Sequence, residues 1–365
     1  MTLIGCLKNS MLNIDEIKTI HIELTDKCQA QCPMCARNFH GGALRPFIKG
    51  GDISINDFKQ WFPKNFLAQL ENFYSCGNYG DPAFAKDCLE IYEYVRNAND
   101  TTRLSLHTNG GMRNKDWWHR LAKTIGTQAN SEVVFAIDGF KGKHELYRRN
   151  TNFDKIIENM CAFIDAGGIA KVDSLVFEHN ETDIEELEKY LIDLGVKSVN
   201  FVRTTRFYEM AEFKVLDKKG NFEYSLKPAQ RQEYKMSPNY SISKLLDQDY
   251  RNKAVTDSKI IPKCQTEKSI YVDPYGNVFP CCWIGAEYQE TPIKEELPVH
   301  KLRNIIIQNS QEMLDVIGIP NCKDKIFYSQ SDLWNNLPEY WKGKNKCITC
   351  ARQCSTMMYD VGKYV

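Results

Sequence analysis

The sequence predicts an α/β protein built on a parallel sheet. Six strand-like runs alternate with helix-like runs between about Lys18 and Val202. The helical runs carry their apolar residues at helical spacing, and the chemically conspicuous loops follow the strands rather than the helices. The strand-like runs are Thr19–Leu24, Asn72–Ser75, Arg103–His107, Val133–Ile137, Val172–Phe177 and Ser198–Val202. Strand and helix in this order imply a doubly wound sheet or a full or partial barrel.

Two helices illustrate the reading. Phe153–Ala166 places Phe153, Ile156, Ile157, Met160 and Ile164 on one face and stops at Gly167-Gly168. The next opens with Thr182 and Glu185 as a capping box, turns Ile184, Leu187 and Leu191 inward and stops at Gly195. From Phe207 to Lys263 the periodicity weakens, and this stretch reads as a connecting or substrate-covering region. Beyond Cys264, the runs Ser269–Val272 and Val278–Pro280 flank Asp273-Pro274-Tyr275-Gly276-Asn277, a hairpin turn signal. The expected organisation is an extension over 1–17, a core domain over 18–206, the connection over 207–263 and a small domain over 264–365.

The chain has 365 residues, 42% of them hydrophobic, enough for a large core. Lys+Arg and Asp+Glu both number 47, so a formal charge of zero gives no electrostatic case for nucleic acid or a membrane surface. The N-terminal apolar stretch around Leu3–Leu7 is too short for an export signal, and no run reaches a membrane span of ~18–20 apolar residues. A cytoplasmic protein is the expectation.

The 14 cysteines stand out. Cys28, Cys32 and Cys35 form one group, Cys347, Cys350 and Cys354 another, and Cys264, Cys281 and Cys282 a third. Such short spacings suit metal ligation better than disulfides in a long chain without an export signal. Cys88 and Cys161 fall on predicted helix faces as core residues; Cys6 has no assignment. Cys28-x3-Cys32-x2-Cys35 supplies three soft thiolates from one loop, whereas structural zinc takes four protein ligands. Three thiolates suit a cubane iron–sulfur cluster with one iron open to a substrate or cofactor.

Cys28-x3-Cys32-x2-Cys35 after the first strand resembles the signature of the radical S-adenosylmethionine (radical SAM) superfamily, with a match by motif order over about Lys18–Val202. The resemblance implies a partial (β/α)6 TIM-like barrel and a 4Fe–4S cluster that binds S-adenosylmethionine. It also implies cleavage to a 5′-deoxyadenosyl radical that abstracts hydrogen. Asn78-Tyr79-Gly80-Asp81-Pro82 resembles the family's Gly-Gly-Glu segment, with Asp81 in place of Glu and Asn78 in place of a Gly. Contact through backbone carbonyls is therefore expected there. Thr108 and Asn109 match the positions that approach the ribose. Asp138 and Arg148 resemble the loop that meets the ribose and the methionine carboxylate. Met34 stands where the family often has an aromatic residue, and its polarizable side chain is expected to cover the adenine edge.

Cys264, Gly276, Cys281, Cys347 and Cys350 resemble the half-size Twitch version of the SPASM auxiliary domain. The implied ligand set for a second 4Fe–4S cluster is Cys264, Cys281, Cys347 and Cys350, with Cys354 and Cys282 as spare ligands. A structural zinc site on the same cysteines is the alternative. Substrate contacts are sought in His40, Arg45, Glu178, His179, Arg203, Arg206, Tyr208 and Glu209 near the strand ends, the arginines being suited to a phosphate or carboxylate.

The first functional reading is net oxidation of a small polar molecule (a sugar, cyclitol or nucleoside derivative), with a flavodoxin or ferredoxin as electron donor. A peptide-modifying maturase is the second, although residues 1–17 leave no room for a fused leader-binding domain. A nucleic-acid-modifying enzyme is the third, and a zinc-binding interaction protein the non-enzyme reading.

Overall fold

The computed structural model describes residues 14–204, 206–207, 210–235, 242–292, 298–324 and 336–355. Cys6, Tyr208 and Glu209 lie outside them. β1 (Thr19–Ile22), β2 (Asn72–Ser75), β3 (Arg103–Thr108), β4 (Glu132–Ala136), β5 (Ala170–Val176) and β6 (Val199–Arg203) pair in that order, each parallel to the next. Parallel neighbours need crossovers. These are supplied by α1 (Ile55–Trp61), α2 (Lys64–Leu67), α3 (Cys88–Ala98), α4 (Lys115–Ile125), α5 (His144–Tyr147), α6 (Phe153–Asp165) and α7 (Ile184–Asp193).

One face of the sheet is apolar and packs on the helices. Ile20, Phe73, Leu104, Leu106, Phe135 and Val172 meet Phe58, Tyr92, Trp118, Met160, Phe163 and Leu187, all buried. Each large side chain buried in this way contributes about 1.5–3 kcal/mol. The other face is polar. His21 stacks on Tyr74 at 4.4 Å. Glu132 takes Arg103 and Lys171 from the flanking strands, both at 2.7 Å. Side chains from β3 to β6 and the loop after β2 reach a single cavity, so the sheet curls into a partial barrel around its polar face.

Helix ends follow local chemistry. Asn152 caps α6 by accepting from the Lys155 N–H, and the turn beyond α6 uses Gly167 at φ +91°. The capping box expected from Thr182 and Glu185 does not form. Helix α7 starts one residue later, with Asp183 at its N-cap. The Thr182 hydroxyl donates to Asp183, and Glu185 pairs with Arg231 at 2.8 Å. A cation 46 residues away outcompetes the local partner.

β7 (Phe213–Leu216) and β8 (Phe222–Leu226) form a separate antiparallel pair. Helices α8 (Ile242–Leu246), α9 (Gln248–Asp257) and α10 (Lys263–Thr266) precede the hairpin of β9 (Ser269–Val272) and β10 (Val278–Phe279). This hairpin is part of the main sheet, in the order β10-β9-β1-β2-β3-β4-β5-β6, with Ile270 beside Ile20 in a parallel pair. After it come α11 (Cys282–Gln289), α12 (Pro298–Ile317) and α13 (Ile348–Cys354). Among the described residues no helix is long and apolar enough to cross a membrane.

Candidate active site

Cys28, Cys32 and Cys35 sit on the loop after β1 and line one cavity of about 250 Å³. Arg37, buried beneath the loop, donates to the carbonyls of Asp26 at 3.1 Å, Cys28 at 3.2 Å and Ala30 at 3.4 Å. Asn38 donates to the Cys32 carbonyl at 3.2 Å. These bonds satisfy loop carbonyls that no secondary structure serves, which fixes the three thiols on one wall.

Burial pushes the Cys28 thiol well above its ordinary range, with Asp81 adding to the effect, and raises Cys32 to about 11. The ordinary state of such thiols is neutral. Positive metal charge is what would let them act as thiolates. Among the described residues no three His, Cys, Asp or Glu side chains converge as they would on a single metal ion. The donor set, three soft thiols around a shared cavity, fits a cluster better than a lone hard ion.

The loop after β2 carries Asn78, Tyr79, Gly80 and Asp81. Gly80 packs so tightly on the first loop that a Cβ would stand 1.7 Å from the Thr25 carbonyl oxygen, and one on Gly77 would stand 2.1 Å from the Gly80 oxygen. Only glycine permits this approach. Asp81 is buried and spent within the protein. One carboxylate oxygen takes the Thr108 hydroxyl at 2.8 Å and the Ala83 N–H at 2.9 Å. The other takes the backbone and side-chain N–H of Asn109 at 2.7 and 2.5 Å. Asp81 is thus a strut between two loops. Asn109 in turn lies 3.5 Å from Cys28 Sγ and receives Gln29 Nε2 at 2.6 Å, which joins this network to the cysteine loop.

Asp138 is fully buried and does not line the cavity. It accepts the Leu175 N–H and Arg148 Nε, both at 2.6 Å. Asp138, expected at a ribose, thus stands behind Arg148 rather than on the cavity wall. Burial opposes the Arg148 charge, but Asp138 beside it more than compensates and raises its pKa. Arg148 itself reaches the cavity next to Tyr147 and Cys32. Met34, expected at the adenine edge, joins the apolar cluster of Cys32, Tyr147, Phe177 and Phe207 and lines the second cavity, described below, rather than the first.

Of the proposed substrate contacts, Arg203 and Arg206 line the cavity; Arg206 also bonds the Met34 carbonyl at 3.1 Å. His40 and Arg45 line a second cavity of about 260 Å³ between the cysteine loop and the C-terminal helices. Glu178 pairs with Lys227 at 3.5 Å, and His179 stacks on Phe177; both lie off the two cavities.

Sequence reasoning missed Cys76, His107, Asp173 and Tyr147 on the first cavity. Cys76 follows β2, and His107 and Asp173 lie within β3 and β5, so the inward direction of these two is set by register with neighbours far along the chain. Burial lowers the His107 pKa and leaves a neutral imidazole on the wall.

Cys264, Cys281, Cys347 and Cys350 lie near enough in the C-terminal region to act on one another's ionisation. Cys281 and Cys347 occupy the N-caps of α11 and α13. Cys347 and Cys350 hydrogen-bond to each other, which pulls Cys347 down and Cys350 up, and the charges of Cys281 and Cys264 add to the rise of Cys350. Cys354 shares this neighbourhood. Cys282 packs on the same apolar cluster as Cys281, Cys347 and Cys350 and adds to the rise of Cys281, while burial and Glu23 raise its own thiol and it acts in turn on Cys76.

Fold and site together define a parallel α/β partial-barrel protein with a thiol-bearing polar cavity at the carboxyl ends of its strands. Residues 22–194, from β1 to the end of α7, match the family model described as the Radical SAM superfamily. A probable GTP 3′,8-cyclase of Methanocaldococcus jannaschii is 24% identical over 188 residues, 49% of this chain and 57% of that relative. The match thus spans little more than half the length of this curated relative. Solved structures resemble it at low identity. They include anSMEcpe with bound AdoMet (16% identical, 88% of this chain and 94% of that one, TM-score 0.48). Streptococcus suis SuiB bound to precursor peptide SuiA is 12% identical over 80% of this chain and 66% of that one, with a TM-score of 0.46. BtrN in complex with AdoMet and 2-DOIA is 10% identical, with 91% and 92% covered and a TM-score of 0.41.

Proposed function

We propose that this chain is a radical SAM enzyme that oxidises a small polar molecule of the sugar, cyclitol or nucleoside type. The observation that carries the reading is the single cavity shared by Cys28, Cys32 and Cys35, by Thr108, Asn109 and Arg148, and by a polar barrel wall. Cys28, Cys32 and Cys35 would hold a 4Fe–4S cluster with an open iron, and Cys264, Cys281, Cys347 and Cys350 a closed auxiliary one. When bound, the open cluster and S-adenosylmethionine supply a 5′-deoxyadenosyl radical for hydrogen abstraction, and the auxiliary cluster supplies an electron acceptor.

The chain's own residues have definable tasks in this reading. Arg148, held in place by Asp138, offers a fixed cation to the methionine carboxylate. Thr108 and Asn109, fixed by Asp81, stand at the ribose. A substrate that has lost a hydrogen atom and an electron must also lose a proton. The neutral imidazole of His107 and the carboxylate of Asp173 are acceptors for it on the cavity wall. Arg203 and Arg206 suit a phosphate or carboxylate on the substrate, and the nucleotide in the relative's name is in line with the nucleoside member of the class. An external flavodoxin or ferredoxin would deliver the reducing electron.

Deuterated candidates test the substrate class. Transfer of deuterium from a labelled sugar, cyclitol or nucleoside into 5′-deoxyadenosine supports the reading. Transfer only from a labelled peptide moves the chain to the maturase class.

A further inference from the structure

Resting on the S-adenosylmethionine reading above, we propose that Glu23 and Tyr271 act as a pair of positioning residues for that cofactor. They lie 248 residues apart and fix the loop of Asn78, Tyr79 and Gly80 between them. Glu23 follows β1 directly and is buried. One of its carboxylate oxygens accepts the backbone N–H of Tyr79 at 2.7 Å and of Gly80 at 2.8 Å. The other accepts the Tyr271 hydroxyl at 2.5 Å. Asn78 closes the circuit, donating through Nδ2 to the Tyr271 oxygen at 3.0 Å and to the Cys282 carbonyl at 2.9 Å.

Three features make this more than packing. The loop borders both cavities, since Asn78 and Tyr79 line each, so its conformation sets the shape of both. The loop has no slack, because Gly77 and Gly80 are pressed onto neighbouring backbone. The controlling atoms are polar and buried, where an apolar pair would fill the space without the desolvation that pushes Glu23 up to about 7. Tyr271 belongs to the hairpin strand beside β1, and Cys282 adjoins the candidate auxiliary ligand Cys281. The C-terminal region therefore reaches into the loop expected to receive the cofactor's amino group.

The test uses anaerobically reconstituted wild type, Tyr271→Phe, Glu23→Gln and the double variant, matched for iron content. Two readouts are taken: the S-adenosylmethionine Kd by equilibrium dialysis, and the change the cofactor makes to the electron paramagnetic resonance spectrum of the reduced cluster. Tyr271→Phe keeps the ring and removes one hydroxyl, and it weakens binding about five- to tenfold. Glu23→Gln weakens it at least as much. The double variant is no worse than the poorer single one, because both act through one loop. Tyr250→Phe, at an exposed tyrosine, leaves the Kd unchanged. Variants that lose thermal stability yet keep the wild-type Kd and spectral change overturn the proposal and leave the cofactor reading standing. A reconstituted wild-type chain that does not bind S-adenosylmethionine overturns both.

Discussion

The Asp81 carboxylate accepts two hydrogen bonds from Asn109, one from its backbone at 2.7 Å and one from its side chain at 2.5 Å. The loop after β2 is thereby locked to the loop after β3. Asp81→Ala strands these donors, together with the Thr108 hydroxyl and the Ala83 N–H, in a buried site. The expected loss is about 2–3 kcal/mol in unfolding free energy by urea titration. A variant within a few tenths of a kcal/mol of wild type contradicts the strut.

Arg148 and Asp138 form a buried pair in which Asp138 is fully enclosed and Arg148 is 19% exposed. Removing one partner leaves the other charge buried, so Asp138→Ala should cost about 3–5 kcal/mol by the same titration. Adding Arg148→Met to it should recover part of that loss. An additive double variant would mean that the two side chains do not depend on one another.

Stability should depend on pH through Glu23. Burial raises its carboxyl from 4.5 to about 7, with partial relief from the Tyr271 hydroxyl. The folded chain therefore holds this proton more tightly than the unfolded one. The stabilisation is full below the unfolded value and is lost as pH rises through about 7. Between about pH 5 and pH 8, wild type should lose up to roughly 3 kcal/mol relative to Glu23→Gln. Using the variant as reference cancels His21 and His144, whose burial lowers both to about 4 and gives the opposite slope. Parallel pH curves for the two proteins would place Glu23 outside this linkage.

The sequence made the alternation of the barrel legible because it is local. Asn72–Ser75 and Ser269–Val272 stand where composition and turn residues put them. The cysteine loop was legible from spacing alone. Partner choice was not. Glu185 turns to Arg231 instead of capping its own helix, and Met34 joins an apolar cluster and the wall of the second cavity instead of the first. The Glu23–Tyr271 bond joins chain segments that no periodicity relates. Cys76 carries no spacing signal, and it reaches the cavity from its place directly after β2.

Iron counting separates the two groups of cysteines. A chain holding two 4Fe–4S clusters contains about eight irons. Cys350→Ala should bring this to about four and leave the cofactor-induced spectral change of the first cluster intact. Cys282→Ala should keep all of it, since the proposed set of four is complete without that thiol. Loss of half the iron in Cys282→Ala would reassign the auxiliary ligands.

The central claim is that Cys28, Cys32 and Cys35 support radical chemistry on S-adenosylmethionine. Its most direct measurement is the yield of 5′-deoxyadenosine and methionine from the reconstituted, dithionite-reduced chain, run beside Cys28→Ala. Equal amounts of both products from wild type, and none from Cys28→Ala, is the predicted result. Stoichiometric zinc with no iron, or equal cleavage by the variant, would contradict it.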